Sequence, residues 1–147
     1  MRKLLLFFAL VLIGGAMWKI VIFPMYSRYG QKKSCLNTIR CLSCVCINYS
    51  SDNEDRYPNT WSETKRYTAG ITKVFICPAT DHVSGKYSDV DSWTDYILIP
   101  GKTKNDPATT VLIYEPLSNH GGKGGHVMYV NGFIKWYRSE EYCLLGL

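Results

Sequence analysis

One apolar stretch at the amino end constrains this chain more than any other feature. After Met1-Arg2-Lys3, every residue from Leu4 to Trp18 is apolar or Gly, and beyond Lys19 the run Ile20–Phe23 continues up to Pro24. About 20 such residues, at ~1.5 Å of rise each, cross a ~30 Å hydrocarbon layer as a helix. The expectation is a transmembrane signal anchor over residues 1–24, with the lipid bilayer as partner and Lys19 snorkelling to the interface. The alternative is a cleavable signal peptide ending near Ile13-Gly14-Gly15-Ala16, where small residues would admit a peptidase.

Charge divides the chain in the same way. Of 17 Lys and Arg, seven (Arg2, Lys3, Lys19, Arg28, Lys32, Lys33 and Arg40) precede Ser50, and no carboxylate does; all 12 Asp and Glu follow it. The folded part is therefore slightly acidic, which excludes nucleic acid as its partner. A count of flanking cations alone would place the carboxyl end in the cytoplasm. The short Arg-Lys start ahead of an apolar run reads instead as an export signal. That reading gives a single-pass protein of the inner (cytoplasmic) membrane, its carboxyl domain periplasmic or extracellular. With 147 residues, 46% of them hydrophobic, the chain has room for one small domain beside the anchor.

Residues 25–50 carry a helical pattern that continues the anchor, with Pro24 as the expected kink. At ~100° per residue, Cys35, Ile39, Leu42, Cys46 and Tyr49 fall in one ~80° stripe opposite Lys33, Asn37, Arg40 and Asn48, with Lys32 at its border. Six cysteines, at 35, 41, 44, 46, 77 and 143, form an even set. Cys41-x-x-Cys44-x-Cys46 invites a zinc or iron–sulfur reading, but Cys44 lies about 160° around the helix from Cys46, so these thiols do not share one ion. Two core cysteines with the others on the surface is the preferred reading. A disulfide from the helix to Cys77 or Cys143 is the alternative.

Residues 51–147 carry strand signals. Val74-Phe75-Ile76-Cys77 ends at Pro78, Tyr96-Ile97-Leu98-Ile99 at Pro100-Gly101, and Val111-Leu112-Ile113-Tyr114 shortly before Pro116. The strongest is a hairpin: His126–Val130 and Phe133–Tyr137 flank Asn131-Gly132, a pair suited to a two-residue type I′ turn. Pairing through that turn sets Tyr129 against Ile134 and Val127 against Trp136, making these four the buried face under the helical stripe. The expected fold is α+β, a long amino-terminal helix packed on a small antiparallel sheet.

No catalytic constellation stands out. His120 and His126 lack a third ligand at a defined spacing, so no metal site is expected from them. A Cys–His nucleophilic pair would need Cys77 or Cys143 beside His82, His120 or His126, which nothing in the spacing requires. Gly121-Gly122-Lys123-Gly124-Gly125 leads into a strand and not a helix, so it is no phosphate cradle. Asp89-x-Asp91-x-x-x-Asp95 and Asp52-Asn53-Glu54-Asp55 gather oxygen atoms, but neither has EF-hand spacing. Solvated loop charge is preferred over calcium, and no cofactor or small-molecule substrate is expected.

Several fragments, in this order, resemble those of prepilin-like proteins, the pseudopilin relatives of type IV pilins and of type II secretion. Ser34-Cys35-Leu36-Asn37 through Tyr49, with Asp52-Asn53-Glu54-Asp55-Arg56-Tyr57-Pro58, resembles the end of their long helix and the loop after it. Phe75-Ile76-Cys77-Pro78-Ala79 resembles their first strand. Val111–Glu115, then His120-Gly121-Gly122, then Val127–Trp136 around Asn131-Gly132, is similar to the His…Asp-Gly signature that closes one large group of them. The resemblance implies a pilin-like fold and a structural role, with other pilin-like subunits as partners and His120, Gly121, Gly122, Asn131, Gly132, Cys77 and Pro78 as structural signature residues. The amino end departs from the family pattern: Leu4 to Ile13 has no Glu, and the Gly pair follows the apolar run. Asn131 stands where the family has Asp, with ten residues and not nine between it and His120. The implied function is a non-enzymatic, membrane-anchored, pseudopilin-like subunit of a type II secretion or type IV pilus-like system. The alternative is an anchored extracytoplasmic binding module using Trp61, Trp93 and the tyrosines.

Overall fold

The computed structural model describes residues 23–147, so the apolar run Leu4–Ile22 and the membrane expectation attached to it lie outside the described residues. No described helix is long and apolar enough to cross a membrane. The chain divides into two compact units, Met1–Lys33 and Ser34–Leu147. Of the first, only the start of helix α1 (Phe23–Asp52) is described. Everything that follows concerns the second.

From Ser34 onward, α1 is governed by its apolar spacing. Cys35, Ile39, Leu42 and Cys46 are each fully buried, and Cys41 and Cys44 are exposed, as the stripe requires. Burying a side chain such as Ile39 or Leu42 contributes about 1.5–3 kcal/mol. Tyr49, the last member of the stripe, is only half-buried, and its hydroxyl donates to Glu63 at 2.9 Å. The helix ends where polar residues offer its carbonyls other donors. Asn53 Nδ2 donates to Tyr49 O at 2.7 Å, and the Asp55 N–H to Ser50 O at 2.9 Å, with Glu54 and Asp55 both at positive φ.

The cover for the stripe is a four-stranded antiparallel meander, β1 (Ile97–Leu98), β2 (Val111–Tyr114), β3 (Gly124–Tyr129) and β4 (Ile134–Arg138), in the order β1-β2-β3-β4. A one-turn helix α2 (Val90–Trp93) precedes the sheet and a short helix α3 (Ser139–Cys143) follows it. The fold is thus α+β, a helix on the amino-terminal side of an antiparallel sheet. Leu112, Ile113, Met128 and Val130 join the helical stripe in the main core, together with Trp61, Phe75 and Tyr96.

Two expectations are corrected here. Val74–Cys77 is not a strand; Lys73–Phe75 forms a 3₁₀ turn. The backbone of this segment bonds to the 94–95 loop and not to a ladder: Phe75 O accepts from the Asp95 N–H at 2.9 Å, and the Cys77 N–H donates to the Asp95 carboxylate at 2.8 Å. The turn places the Phe75 ring against Trp61, Tyr87 and Trp93, at centroid distances of 5.3, 5.6 and 6.4 Å.

The second correction is one of register. The hairpin loop is three residues, Val130-Asn131-Gly132, because the Gly132 N–H donates to Tyr129 O and the Tyr129 N–H to Phe133 O, both at 2.9 Å. Gly132 alone of the three sits at positive φ (81°). This is the arrangement of a turn closed by a glycine bulge. Met128 therefore faces Ile134, His126 faces Trp136 and Val127 faces Lys135, one residue from the expected pairing. A shift of one exchanges the faces of a strand. Met128 and Ile134, not Val127 and Tyr129, pack toward the helical stripe. Val127 and Tyr129 are buried on the opposite side with Tyr142 of α3, so β3 is covered on both faces.

Replacing Gly132 by Ala tests this turn. A Cβ there meets no neighbour, so the penalty is purely that of the left-handed backbone, about 1 kcal/mol, read as a lower denaturant midpoint with unchanged slope.

Candidate functional site

The amino end of β3 gathers the chemically distinctive side chains. Tyr114 ends β2, and the next residue, Glu115, turns into the interior with no solvent exposure. Its Oε2 accepts from the His126 backbone N–H at 2.8 Å and lies 2.8 Å from His126 Nδ1 and 3.2 Å from His120 Nε2. Its Oε1 is buried with no hydrogen-bond partner. His120 closes the 3₁₀ turn Leu117–His120, and Gly121 and Gly122, at φ of 59° and 76°, carry the chain onward toward β3.

Two thiols complete the group. His120 Nε2 lies 3.8 Å from Cys77 Sγ, which in turn lies 3.0 Å from Cys35 Sγ on α1. One donor atom from each of Cys35, Cys77, Glu115 and His120 lies within 4.8 Å of every other. Cys77 is fixed from behind: the Asp95 carboxylate accepts its N–H and the Thr80 hydroxyl, the latter at 2.7 Å, and lies 2.5 Å from His82 Nδ1. Trp136 packs edge-on against both imidazoles, with ring centroids 4.9 Å from each. From the far side of the sheet, the Tyr142 hydroxyl donates to the Glu115 carbonyl.

This crowding sets the protonation states. Burial alone would raise Glu115, but hydrogen bonds with His120 and His126, and the charge on His126, outweigh it and hold the carboxyl at about 2. Burial would lower His120, yet its bonds to Cys77 and Glu115 and their negative charge push it up to about 9. The hydrogen bond from Cys35 holds Cys77 at about 6 against burial, with His120 assisting. Cys35, which gives that bond, is raised by it first and by burial second. Hydrogen bonding within the group thus favours the charged forms of Glu115, His120 and Cys77 against the desolvation that burial imposes.

Of the signature residues, Cys77 and His120 belong to this cluster, and Pro78, Gly121 and Gly122 follow them in sequence as exposed residues, whereas Asn131 and Gly132 sit in the hairpin loop beyond the other end of β3. The pairing of Cys77 with His120, which spacing did not require, is formed. His120 bonds to Cys77 and Glu115. Glu115 was missed as a site residue; its one sequence trace is a carboxylate set directly between a buried strand and Pro116. The acidic loops do not converge. Asp91 accepts from the Trp61 and Ser62 backbone N–H groups, and Asp55 pairs with Lys104 at 3.0 Å. Trp61 is not a surface platform: it is core, its indole N–H donating to Tyr96 O at 2.8 Å.

Glu115→Gln keeps the shape but leaves the His120 imidazolium uncompensated, and lowers stability by about 3 kcal/mol at neutral pH. Because Glu115 is depressed from 4.5 to about 2, its contribution is fully present above pH 4.5 and is lost as pH falls through about 2. The gap between wild type and variant, followed by denaturant unfolding against pH, therefore narrows on the acid side of 4.5, and again as pH rises through about 9, where His120 gives up the proton that Glu115 helps it hold. No protein-family model matches this chain, and neither a curated protein nor a solved structure matches it significantly.

Proposed function

We propose that the chain is a non-enzymatic, membrane-anchored, pseudopilin-like structural subunit, its sheet domain on the outer side of the cytoplasmic membrane. The observation that carries this reading is the stripe of Cys35, Ile39, Leu42 and Cys46, which buries one side of α1 against an antiparallel meander. The helix so occupied follows in sequence directly on an apolar run of membrane-crossing length. A structural role is further supported by the closure of the one reactive cluster found among the described residues. Cys35, Cys77 and Glu115 are fully buried and the His120 side chain is 7% exposed, so no substrate has access to the thiolate.

The opposite side of α1 carries Arg40, Cys41, Cys44 and Asn48, all exposed, and offers a surface for helix-to-helix association with further subunits. A second reading, an anchored module that does not polymerise, is favoured by the missing Glu in Leu4–Ile13. That Glu would pair with a neighbour's amino end in the resembling family.

Fractionation and cross-linking separate these readings. The full chain is expected to stay with membranes through high salt and carbonate, and to leave them only in detergent; release by carbonate removes the anchor. Mild thiol oxidation of those membranes is expected to give dimers that disappear in Cys41→Ser/Cys44→Ser. A protein monomeric under every condition identifies the non-polymerising module. Cleavage and N-methylation of the natural amino terminus, read by mass spectrometry, would support pilin-type processing, whereas an intact Met1 would support a plain anchor.

A further inference from the structure

We propose that Cys35, Cys77, Glu115 and His120 form a four-coordinate binding site for one zinc ion, which staples α1 to the sheet. Two sulfurs, an imidazole nitrogen and a carboxylate oxygen are zinc's donor types, whereas calcium and magnesium take oxygen alone. The four come from separate segments: the helix, the turn before Pro78, the residue just past β2, and the 3₁₀ turn ahead of β3. Nothing but the fold brings them within 4.8 Å of one another.

The spacing agrees with the ion. Zinc–sulfur bonds of ~2.3 Å and zinc–nitrogen or zinc–oxygen bonds of ~2.1 Å set tetrahedral edges of about 3.6 Å for sulfur to nitrogen and about 3.4 Å for nitrogen to oxygen. The corresponding separation for Cys77 to His120 is 3.8 Å, and His120 meets the Glu115 carboxylate at 3.2 Å through Oε2, the neighbour of the free Oε1. The sulfurs, 3.0 Å apart, must open to about 3.8 Å, which rotation of the two Cys side chains accommodates.

A second, independent observation points to a ligand. Glu115 Oε1 is wholly buried and has no partner, whereas its other oxygen is bonded to His126 through both backbone and ring. A ligating carboxylate oriented by a neighbouring imidazole is the usual support around a bound metal. A Cys35–Cys77 disulfide would account for the two sulfurs, but not for the imidazole and carboxylate gathered against them.

On binding, each thiol that carries a proton releases it to solvent, the His120 imidazolium gives up the proton on Nε2 likewise, the zinc–sulfur and zinc–nitrogen bonds form, and no electron moves. With four protein donors no position stays open for water, so the ion is structural. The proposal does not depend on the membrane anchor or on assembly.

The test uses the full chain purified in detergent, loaded with zinc chloride under reducing conditions and desalted. Elemental analysis is expected to find one zinc per chain. Replacement by cobalt(II) should give the intense visible bands of a tetrahedral ion together with thiolate-to-cobalt charge transfer. Cys77→Ser should lose the zinc and the charge-transfer intensity. Glu115→Gln should weaken binding at least tenfold in a chelator competition. Cys46→Ser, another buried thiol of the same helix outside the cluster, should keep both, which separates ligand loss from unfolding. Zinc content unchanged in Cys35→Ser/Cys77→Ser overturns the proposal. So does a wild-type chain that, isolated without reductant from its native membrane, is two hydrogens lighter with Cys35 joined to Cys77.

Discussion

A carboxylate held entirely out of water must be satisfied by its surroundings, and around Glu115 that requirement organises the domain. Its Oε2 is met by the backbone and ring of His126 on β3 and by the ring of His120 on the turn before it. Its carbonyl is met by Tyr142 of α3. One residue, through side chain and backbone together, thus ties the end of β2 to β3, to the loop between them and to the terminal helix. His120, so placed, reaches Cys77, and Cys77 reaches Cys35 on α1. A chain of polar contacts crosses a core that is otherwise aliphatic and aromatic, and each link is intelligible only with its neighbours present.

The parts of the fold legible in the sequence were those governed by a strong local period or a breaker. The stripe at 35, 39, 42 and 46 is a helical repeat with nothing competing, and it is buried as spaced. Val111–Tyr114 is a strand with the boundaries its composition marks. The hairpin shows where local rules run out. Asn131-Gly132 announces a turn, but two-residue and three-residue loops both accept the pair. The choice was made by Val130, whose N–H is taken by Thr110 O and whose carbonyl accepts the Tyr57 hydroxyl. Contacts 20 and 73 positions away set the register. Phe75 is a similar case: its β-favouring neighbourhood yielded to three aromatic rings that no window of sequence contains.

The site was legible in pieces only. Cys35 read as a core residue and Cys77-Pro78 as the end of a strand. His120 read as a loop histidine, and Glu115 went unremarked. Each reading is sound locally. What joins them is a sheet that brings residue 115 beside 126 and a helix that lays residue 35 over residue 77. Such convergence belongs to tertiary structure and leaves no spacing signature, unlike the paired cysteines of a zinc finger.

The meander finishes on one side with β1, a strand of only two residues whose hydrogen-bonded partner is β2. So short a border presents too few free amides and carbonyls to template another strand, which confines edge-to-edge pairing to the opposite border, the five-residue β4. A copy docking there would offer no second edge of that length to pass on, so growth strand by strand stops at a pair.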